Sequence, residues 1–230
     1  FVQGTTVANF GANITVNSLT VHSPTTATAN ITVQNNAALG ARTVTLTTGG
    51  EVATLTGGFT VVAPLTVVSF RVLFGTMSYD VAAASNTRVR LPWQVAGVEV
   101  VFSRPVVSGN INSLGGLTPT SLAGVGTNTL TWRFTPVSVG NIVATLAGSG
   151  ANALSDANGV SLGAGAGYTR GLKVLWGDFN DDGSVSAADL ASVGNARVTP
   201  YNLFADLNGD GTIDINDLQI VRARIGTSLQ

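Results

Sequence analysis

Alternating apolar and polar positions dominate the chain up to about residue 170. Near the N-terminus such runs occur at 14–21, 30–33, 42–48 and 57–62, separated by Gly, Asn and Pro. The alternating apolar residues of the first run are Ile14, Val16, Leu19 and Val21. Period-two alternation between turn residues predicts short antiparallel strands with one face in water. Short strands at regular spacing indicate a β-sandwich.

A second β-region follows a short linker at Ala63-Pro64 and runs to about Arg170. Leu65–Phe74 is mostly apolar, which predicts a buried strand. Three further runs alternate, with apolar residues at Val98, Val100 and Phe102, at Leu130, Trp132 and Phe134, and at Ile142, Ala144 and Leu146. The loops between them are rich in Gly and Ser, and the pattern again predicts a sandwich.

From Gly177 onward the apolar period changes from two to that of a helix. Leu190 and Val193 are three residues apart, and Leu218, Val221 and Ile225 follow helical spacing. Each set predicts one apolar stripe on a short helix. Each predicted helix follows a loop rich in acidic residues.

The distribution of charge supports a boundary near Trp176, because eight of the twelve acidic residues lie between Asp178 and Asp217. Net charge is −1, so no overall field favours nucleic acid or an anionic membrane. No apolar run reaches about 18 residues, so no membrane-spanning helix is predicted. The absence of cysteine excludes disulfides, and with a single histidine it also excludes a zinc site of the usual kind. The Thr-rich, Lys-poor composition is typical of a secreted bacterial β-protein.

Two twelve-residue segments, Asp178–Asp189 and Asp206–Asp217, share the pattern D-x-N-x-D-G-x-[VI]-x-x-x-D and start 28 residues apart. Both match the calcium-binding loop of EF-hand type. Ca²⁺ binds six to eight oxygen atoms, which explains why the carboxylates are crowded here. We predict two Ca²⁺ ions, one in each loop. We further expect Val185 and Ile213, at position 8, to pair the two loops in a short β-contact.

The predicted metal ligands occupy positions 1, 3, 5, 7, 9 and 12 of each loop: Asp178, Asn180, Asp182, Ser184, Ser186 and Asp189, then Asp206, Asn208, Asp210, Thr212, Asp214 and Asp217. Position 7 is expected to use its backbone carbonyl and position 9 a bridging water. Gly183 and Gly211 at position 6 are expected to supply the sharp turn with positive φ.

The alternative to metal binding is a solvated acidic tail, which explains neither the paired glycines nor the helical stripes. Helices of about eleven residues are marginal alone. We therefore expect bound calcium to supply much of the folding free energy of this region. A chelator is predicted to unfold residues 177–230 and to leave the sandwiches folded.

The duplicated loop–helix units lack a full entering helix and resemble a type I dockerin over residues 177–230. The resemblance implies pairing with cohesin modules. Positions 10 and 11, which read the partner in that family and are often Ser-Thr, are Ala187-Ala188 and Ile215-Asn216 here. The basic pair common later on the helix is replaced by Gly194-Asn195 and Arg222-Ala223. Calcium chemistry therefore carries over, whereas cohesin specificity does not, and a neighbouring subunit or the chain's own sandwich is an alternative partner.

The first β-region resembles IPT/TIG-like immunoglobulin modules through FGANITVNSLTVHSPTTATANITV, GARTVTLTTGG and GGFTVV. Such modules usually begin with one or two further strands, so we expect an open sheet edge, which is a template for another strand. A simple truncation explains the missing strands equally well. The order FSRPV, LTWRFTP and ALSDANGVSL resembles a second bacterial Ig-like module and implies a spacer or adhesion role.

No catalytic constellation is predicted. His22 is the only imidazole, and the acids outside the two loops share no motif; they are Glu51, Asp80, Glu99 and Asp156. Asp156 lies in DANG, which predicts a turn. The three tryptophans are expected in cores or at a domain junction. Sequons at Asn13 and Asn30 make the chain a candidate glycoprotein.

The predicted fold is mostly β: two Ig-like antiparallel sandwiches (1–63 and 64–175) followed by a small α-helical dockerin-like domain (176–230). The first functional hypothesis is a non-catalytic extracellular structural protein of a bacterial surface, which assembles into a fibre or layer through strand addition. The second is the C-terminal anchoring region of a secreted carbohydrate-active enzyme whose dockerin binds a cohesin.

Overall fold

The computed structural model describes residues 1–34, 36–83 and 86–229. The chain divides into two compact units, Phe1–Ala63 and Pro64–Gln230. Both the second β-region and the two acidic loops therefore belong to the second unit, and the predicted boundary near Trp176 lies inside it.

The first unit consists of antiparallel strands, as the alternating pattern predicts. Its described strands are β1 (Thr6–Asn9), β2 (Ile14–Ser23), β3 (Thr26–Val33), β4 (Gly40–Thr48) and β5 (Glu51–Val61). They form one sheet in the order β1-β4-β5 and a second sheet of β2 and β3. Phe10 and Phe59 meet edge to face at 5.5 Å between ring centroids. Few of its described side chains are buried, and Val44 and Val61 are among them.

The second unit begins with a larger sandwich. Its described strands are β6 (Val67–Phe74), β7 (Met77–Asp80), β8 (Arg90–Leu91), β9 (Val95–Phe102), β10 (Leu114–Gly115), β11 (Pro119–Ala123), β12 (Thr129–Val137), β13 (Val139–Leu146) and β14 (Tyr168–Leu175). One sheet has the order β11-β12-β9-β6-β7 and the other β10-β13-β14-β8. All neighbours are antiparallel except β14 and β8, which pair in parallel.

The core of this sandwich is formed by alternate residues of the two sheets. Phe70, Val98 and Trp132 from one sheet belong to the same buried cluster as Ala144 and Val174 from the other. Trp132 and Trp93 are both fully buried, which confirms the prediction of core tryptophans. The turn predicted at Asp156 is also present, because its carboxylate accepts hydrogen bonds from the N–H groups of Asn158 and Val160, both at 2.9 Å.

Two helices follow the sandwich, α1 (Ala187–Ala196) and α2 (Ile215–Arg224), with a short 3₁₀ turn at Leu203–Ala205 between them. Their buried faces, including Val193, Leu218 and Val221, belong to a second cluster that also contains Leu175. The mostly β fold with two C-terminal helices is as predicted. No helix in the described ranges is both long and apolar enough to span a membrane.

The stripe predicted for the second helix is wrong at Ile225. This residue follows the last helical residue, with φ −50° and ψ 129°, and its side chain is 51% exposed. The helix ends one residue before the predicted period is complete, so the side chain no longer points to the buried face.

Candidate calcium-binding site

The first acidic loop leaves strand β14 through Gly177, whose φ is 102°. Asp178 at position 1 is fully buried. Its carboxylate accepts hydrogen bonds from the N–H groups of Asp182 at 3.2 Å and Gly183 at 3.0 Å. The loop backbone therefore wraps around this carboxylate, and Gly183 has the positive φ, 91°, that the turn at position 6 requires.

The remaining side chains of the first loop face the same turn. The exposed Asp182 carboxylate accepts from the N–H and the hydroxyl of Ser184, both at 2.8 Å. It also accepts from the Asn180 amide at 2.8 Å, and these bonds lower the pKa of Asp182 below its ordinary value. Asp189 at position 12 is buried and accepts from the N–H groups of Asn180 at 3.1 Å and Ser186 at 2.9 Å. The oxygens predicted at positions 1, 3, 5 and 12 are thus held within one loop.

The second loop repeats this arrangement. The buried Asp206 carboxylate accepts from the N–H groups of Gly209 at 2.8 Å and Gly211 at 2.8 Å. Gly211 has a φ of 94°, close to that of its counterpart in the first loop. Asp210 accepts from the Thr212 N–H at 2.8 Å and hydroxyl at 2.6 Å, which lowers the pKa of Asp210.

The closing residues of the second loop also match those of the first. The buried Asp217 accepts from the N–H groups of Leu207 at 2.7 Å and Asp214 at 2.8 Å. The Asn208 amide donates to Asp210 at 2.7 Å, as Asn180 does in the first loop.

Four carboxylates, those of Asp178, Asp189, Asp206 and Asp217, are completely buried. Within the described residues none of them forms a salt bridge. Burial raises the pKa of Asp178, and the neighbouring Asp189 charge raises it further. Burial likewise raises the pKa of Asp217, with Asp206 adding to it. Buried carboxylates that repel one another fit a bound dication, because a nearby positive charge favours the ionised form of each carboxyl group.

The donor set consists of mixed oxygens. In the described part of the chain, no group of three or more His, Cys, Asp or Glu side chains is placed to hold a metal by itself. Each loop combines aspartates with an asparagine amide and a hydroxyl-bearing residue at position 7. Hard oxygen donors of this kind suit Ca²⁺.

Position 9 has a role that the ligand prediction missed. Ser186 and Asp214 are the N-caps of α1 and α2, and each side chain accepts the N–H of the residue two further along. Asp189 and Asp217 bond back to the cap backbone and complete two capping boxes. The S-x-x-D and D-x-x-D spacing is the sequence signal for this arrangement.

The β-contact predicted between Val185 and Ile213 is wrong. The Val185 N–H donates to the Thr227 carbonyl at 2.8 Å, and its carbonyl accepts from the Gly226 N–H at 2.9 Å. Ser184 and Ser228 form an antiparallel bridge beside them. Position 8 of the first loop is therefore paired with the segment after α2, which returns to the first loop.

A further residue near the second loop was not predicted. The Tyr201 hydroxyl donates to Asp206 at 2.8 Å. Burial and the Asp206 carboxylate raise the pKa of this phenol, so it remains a donor at neutral pH. Nothing in the sequence places Tyr201, five residues upstream, beside this carboxylate.

The comparison with known families agrees with this geometry. Residues 176–226 match the model of the dockerin type I domain. This C-terminal segment is therefore similar to type I dockerin domains over 51 residues. No curated protein and no solved structure matches the chain. Dockerin domains bind calcium and pair with a protein partner, cohesin. They are non-catalytic interaction modules, typical of secreted or cell-surface proteins.

Proposed function

We propose that this chain is a non-catalytic extracellular assembly protein in which two Ig-like sandwiches act as spacers and the dockerin domain binds a protein partner. The duplicated loop–helix unit at residues 176–226 carries this proposal. We propose the twelve predicted oxygen donors as the ligands of two calcium ions. Bound calcium would neutralise carboxylates that otherwise repel, and the chain's backbone N–H groups already orient those carboxylates.

The exposed N-terminal ends of the two helices support partner binding. Ala187 and Ala188 on α1, and Ile215 and Asn216 on α2, are exposed. Ile215 presents 45% of its surface, and no comparable aliphatic side chain stands at the same point of α1. The two ends therefore differ in chemistry, which favours a partner that binds in one orientation.

Three of the four acids outside the two loops support a non-catalytic chain, because they have structural partners. Asp80 accepts from the Ser69 hydroxyl at 2.6 Å, and Glu99 pairs with Arg71 at 3.1 Å. Asp156 pairs with Arg104 at 2.8 Å. None of these carboxylates is the activated group that general acid–base chemistry needs.

A binding experiment tests the partner role. The full chain and the variants Ala188→Arg and Ile215→Arg are passed over immobilised cohesins in calcium and in EDTA. We expect calcium-dependent capture by at least one cohesin and a loss with one of the variants. Capture that persists in EDTA, or is equal for all variants, contradicts the proposal. If the chain instead anchors an enzyme, the same capture is expected. In that case the native full-length protein should also hydrolyse a polysaccharide.

Strand addition in the first unit is a second candidate function, favoured by the exposure of strand β5. Leu55 presents 63% of its surface on the face that it shares with the buried Val44, and Val52 on the opposite face presents 60%. An uncovered edge strand of this kind can accept another strand. We expect Leu55→Lys to abolish concentration-dependent assembly in sedimentation velocity. A chain that stays monomeric at high concentration rules out this candidate.

A further inference from the structure

One arginine of the second sandwich holds the start of the first acidic loop. Arg88 lies just before strand β8, and its guanidinium donates to the backbone carbonyls of Asp178 at 2.8 Å and Phe179 at 2.9 Å. These carbonyls belong to positions 1 and 2 of the loop. An arginine presents its donors in a fixed fork, so both carbonyls are held in one orientation.

Asp181, at position 4 of the first loop, returns the contact. Its carboxylate accepts hydrogen bonds from the N–H groups of Val89 and Arg90, both at 2.8 Å. The Arg90 guanidinium donates to the Asp181 carbonyl at 3.2 Å and to the Leu229 carbonyl at 2.9 Å. Asp181 is the one acid in this loop that the calcium pattern does not require, and this docking contact accounts for it.

Position 4 of the second loop docks on the same sandwich. The Gly209 carbonyl accepts from the Thr76 N–H at 2.8 Å and from the Thr76 hydroxyl at 2.9 Å. The backbones approach so closely that a β-carbon on Gly209 would lie 2.6 Å from the Phe74 carbonyl oxygen. The turn between β6 and β7 is therefore in direct contact with the second loop.

Phe204 fixes the segment between the two loops. Its ring lies 5.4 Å from Trp93 and 5.3 Å from Tyr79, measured between centroids. The Arg88 guanidinium stands 4.5 Å above the same ring, and Trp93 donates to the Leu203 carbonyl at 3.3 Å. Arg88 thus contacts both the first loop and the aromatic cluster of the sandwich.

We propose that Arg88, Asp181 and Thr76 couple calcium binding in the two loops to the stability of the second sandwich, so that these parts unfold and bind as one unit. This inference rests on the proposed calcium binding. The reason is reciprocal linkage: contacts that hold the loop backbones in the binding geometry favour calcium, and calcium favours those contacts by the same factor. The sequence alone predicts that a chelator spares both sandwiches. With this coupling, we expect a chelator to destabilise the second sandwich and to spare the first unit.

Calcium calorimetry on the full chain tests the coupling. The variant Arg88→Gln removes the fork, and Arg71→Gln is the matched control, because Arg71 pairs with Glu99 on the sandwich. We expect Arg88→Gln to weaken calcium binding about tenfold, the lower end for partners that orient metal ligands. The control is expected to bind as the parent chain does. Equal affinities for the two variants overturn the coupling.

Hydrogen exchange measured by mass spectrometry gives a second readout, in calcium and in EDTA. We expect EDTA to reduce amide protection in residues 86–102 of the parent chain but not in residues 14–33. Protection in 86–102 that does not change with EDTA overturns the coupling even if calcium binds. If the parent chain shows no binding heat, the proposed calcium sites are wrong as well. Calorimetry of the parent chain therefore distinguishes failure of the calcium sites from failure of the coupling alone.

A gentler variant covers the case in which Arg88→Gln does not fold. Thr76→Ala removes one hydrogen bond to the Gly209 carbonyl and leaves the backbone bond, whereas Ser78→Ala removes an exposed hydroxyl on β7. We expect Thr76→Ala to weaken calcium binding by severalfold and Ser78→Ala to leave it unchanged. Identical binding by both contradicts the proposal.

Discussion

The two acidic loops share one pattern but differ in charge and in how the sandwich holds them. At the ligand positions the first loop has three aspartates and the second has four, because position 9 is Ser186 in one and Asp214 in the other. The first loop also lies against cationic side chains, with the Arg90 guanidinium 3.7 Å from Asp181. The same twelve-residue pattern therefore yields two electrostatically different sites.

The two loops also differ in how they contact the second sandwich. At position 4 the first loop is held through the Asp181 side chain, and the second is held through the Gly209 carbonyl. Both residues have a left-handed conformation, with φ of 64° and 67°. Since calcium affinity rises with ligand charge and with rigidity of the site, we expect the second loop to bind calcium more tightly than the first.

The largest effect is expected from removing the position 1 carboxylates one at a time. Asp206→Ala and Asp178→Ala should each reduce the calcium stoichiometry by one, since each buried carboxylate organises its loop backbone. Asp206→Ala should remove the tighter site and Asp178→Ala the weaker one. Calorimetry compares both with Glu51→Gln, an exposed acid in the first unit. If the two loop variants lose the same class of site, the loops are equivalent and the comparison is wrong.

The second largest effect is expected at Gly209. An alanine there has an unfavourable positive φ and collides with the Phe74 carbonyl. Strain and displacement together should cost about 2–3 kcal/mol of unfolding free energy. Gly150→Ala is the matched control, because its φ of 74° is close to that of Gly209 but a β-carbon there meets nothing within 4 Å. Urea unfolding at fixed calcium measures both, and equal losses would show that the close approach does not matter.

A smaller effect is expected from Tyr201→Phe, which removes a hydrogen bond that the first loop does not have. The loss should be about 1 kcal/mol, with weaker calcium binding in the second loop only. Since the pKa of Tyr201 is raised, the phenol's contribution is present below about pH 10 and disappears only as pH rises through the raised value. The difference between variant and parent should therefore stay constant from about pH 6 to about pH 9. If the stability difference changes within this pH range, it comes from the titration of a group other than Tyr201.

The smallest effect is expected from exchanging position 9. Ser186→Asp gives the first loop the charge of the second, and Asp214→Ser does the reverse. Serine and aspartate are equivalent as N-caps, so helix stability should hardly change. Calcium affinity should rise severalfold in the first variant and fall severalfold in the second. If the calcium affinity changes in the same direction in both variants, ligand charge at position 9 does not determine it.

The local features of the site were predictable from sequence because they depend on spacing within twelve residues. Aspartates at alternating positions, a glycine at position 6 and a closing acid before an apolar stripe specify the loop whatever surrounds it. Gly183 and Gly211 have the positive φ that this pattern requires. The alternating strands were equally local, since burial of one face follows from period-two alternation.

Two of the features that were missed join distant parts of the chain. Arg88 contacts carbonyls 90 and 91 residues later in the sequence, and no spacing rule connects them. Val185 pairs with Thr227 because the chain after α2 returns to the first loop, a path that the helical pattern does not specify. Ile225 failed because the helix ends just before it, and helix ends are the least certain part of a periodic pattern.

Calorimetric titration of the calcium-depleted full chain with Ca²⁺ tests the central claim most directly. We expect two binding events, with the tighter one lost in Asp206→Ala and the weaker one lost in Asp178→Ala. A titration without binding heat up to millimolar Ca²⁺, or one in which neither substitution removes an event, contradicts it.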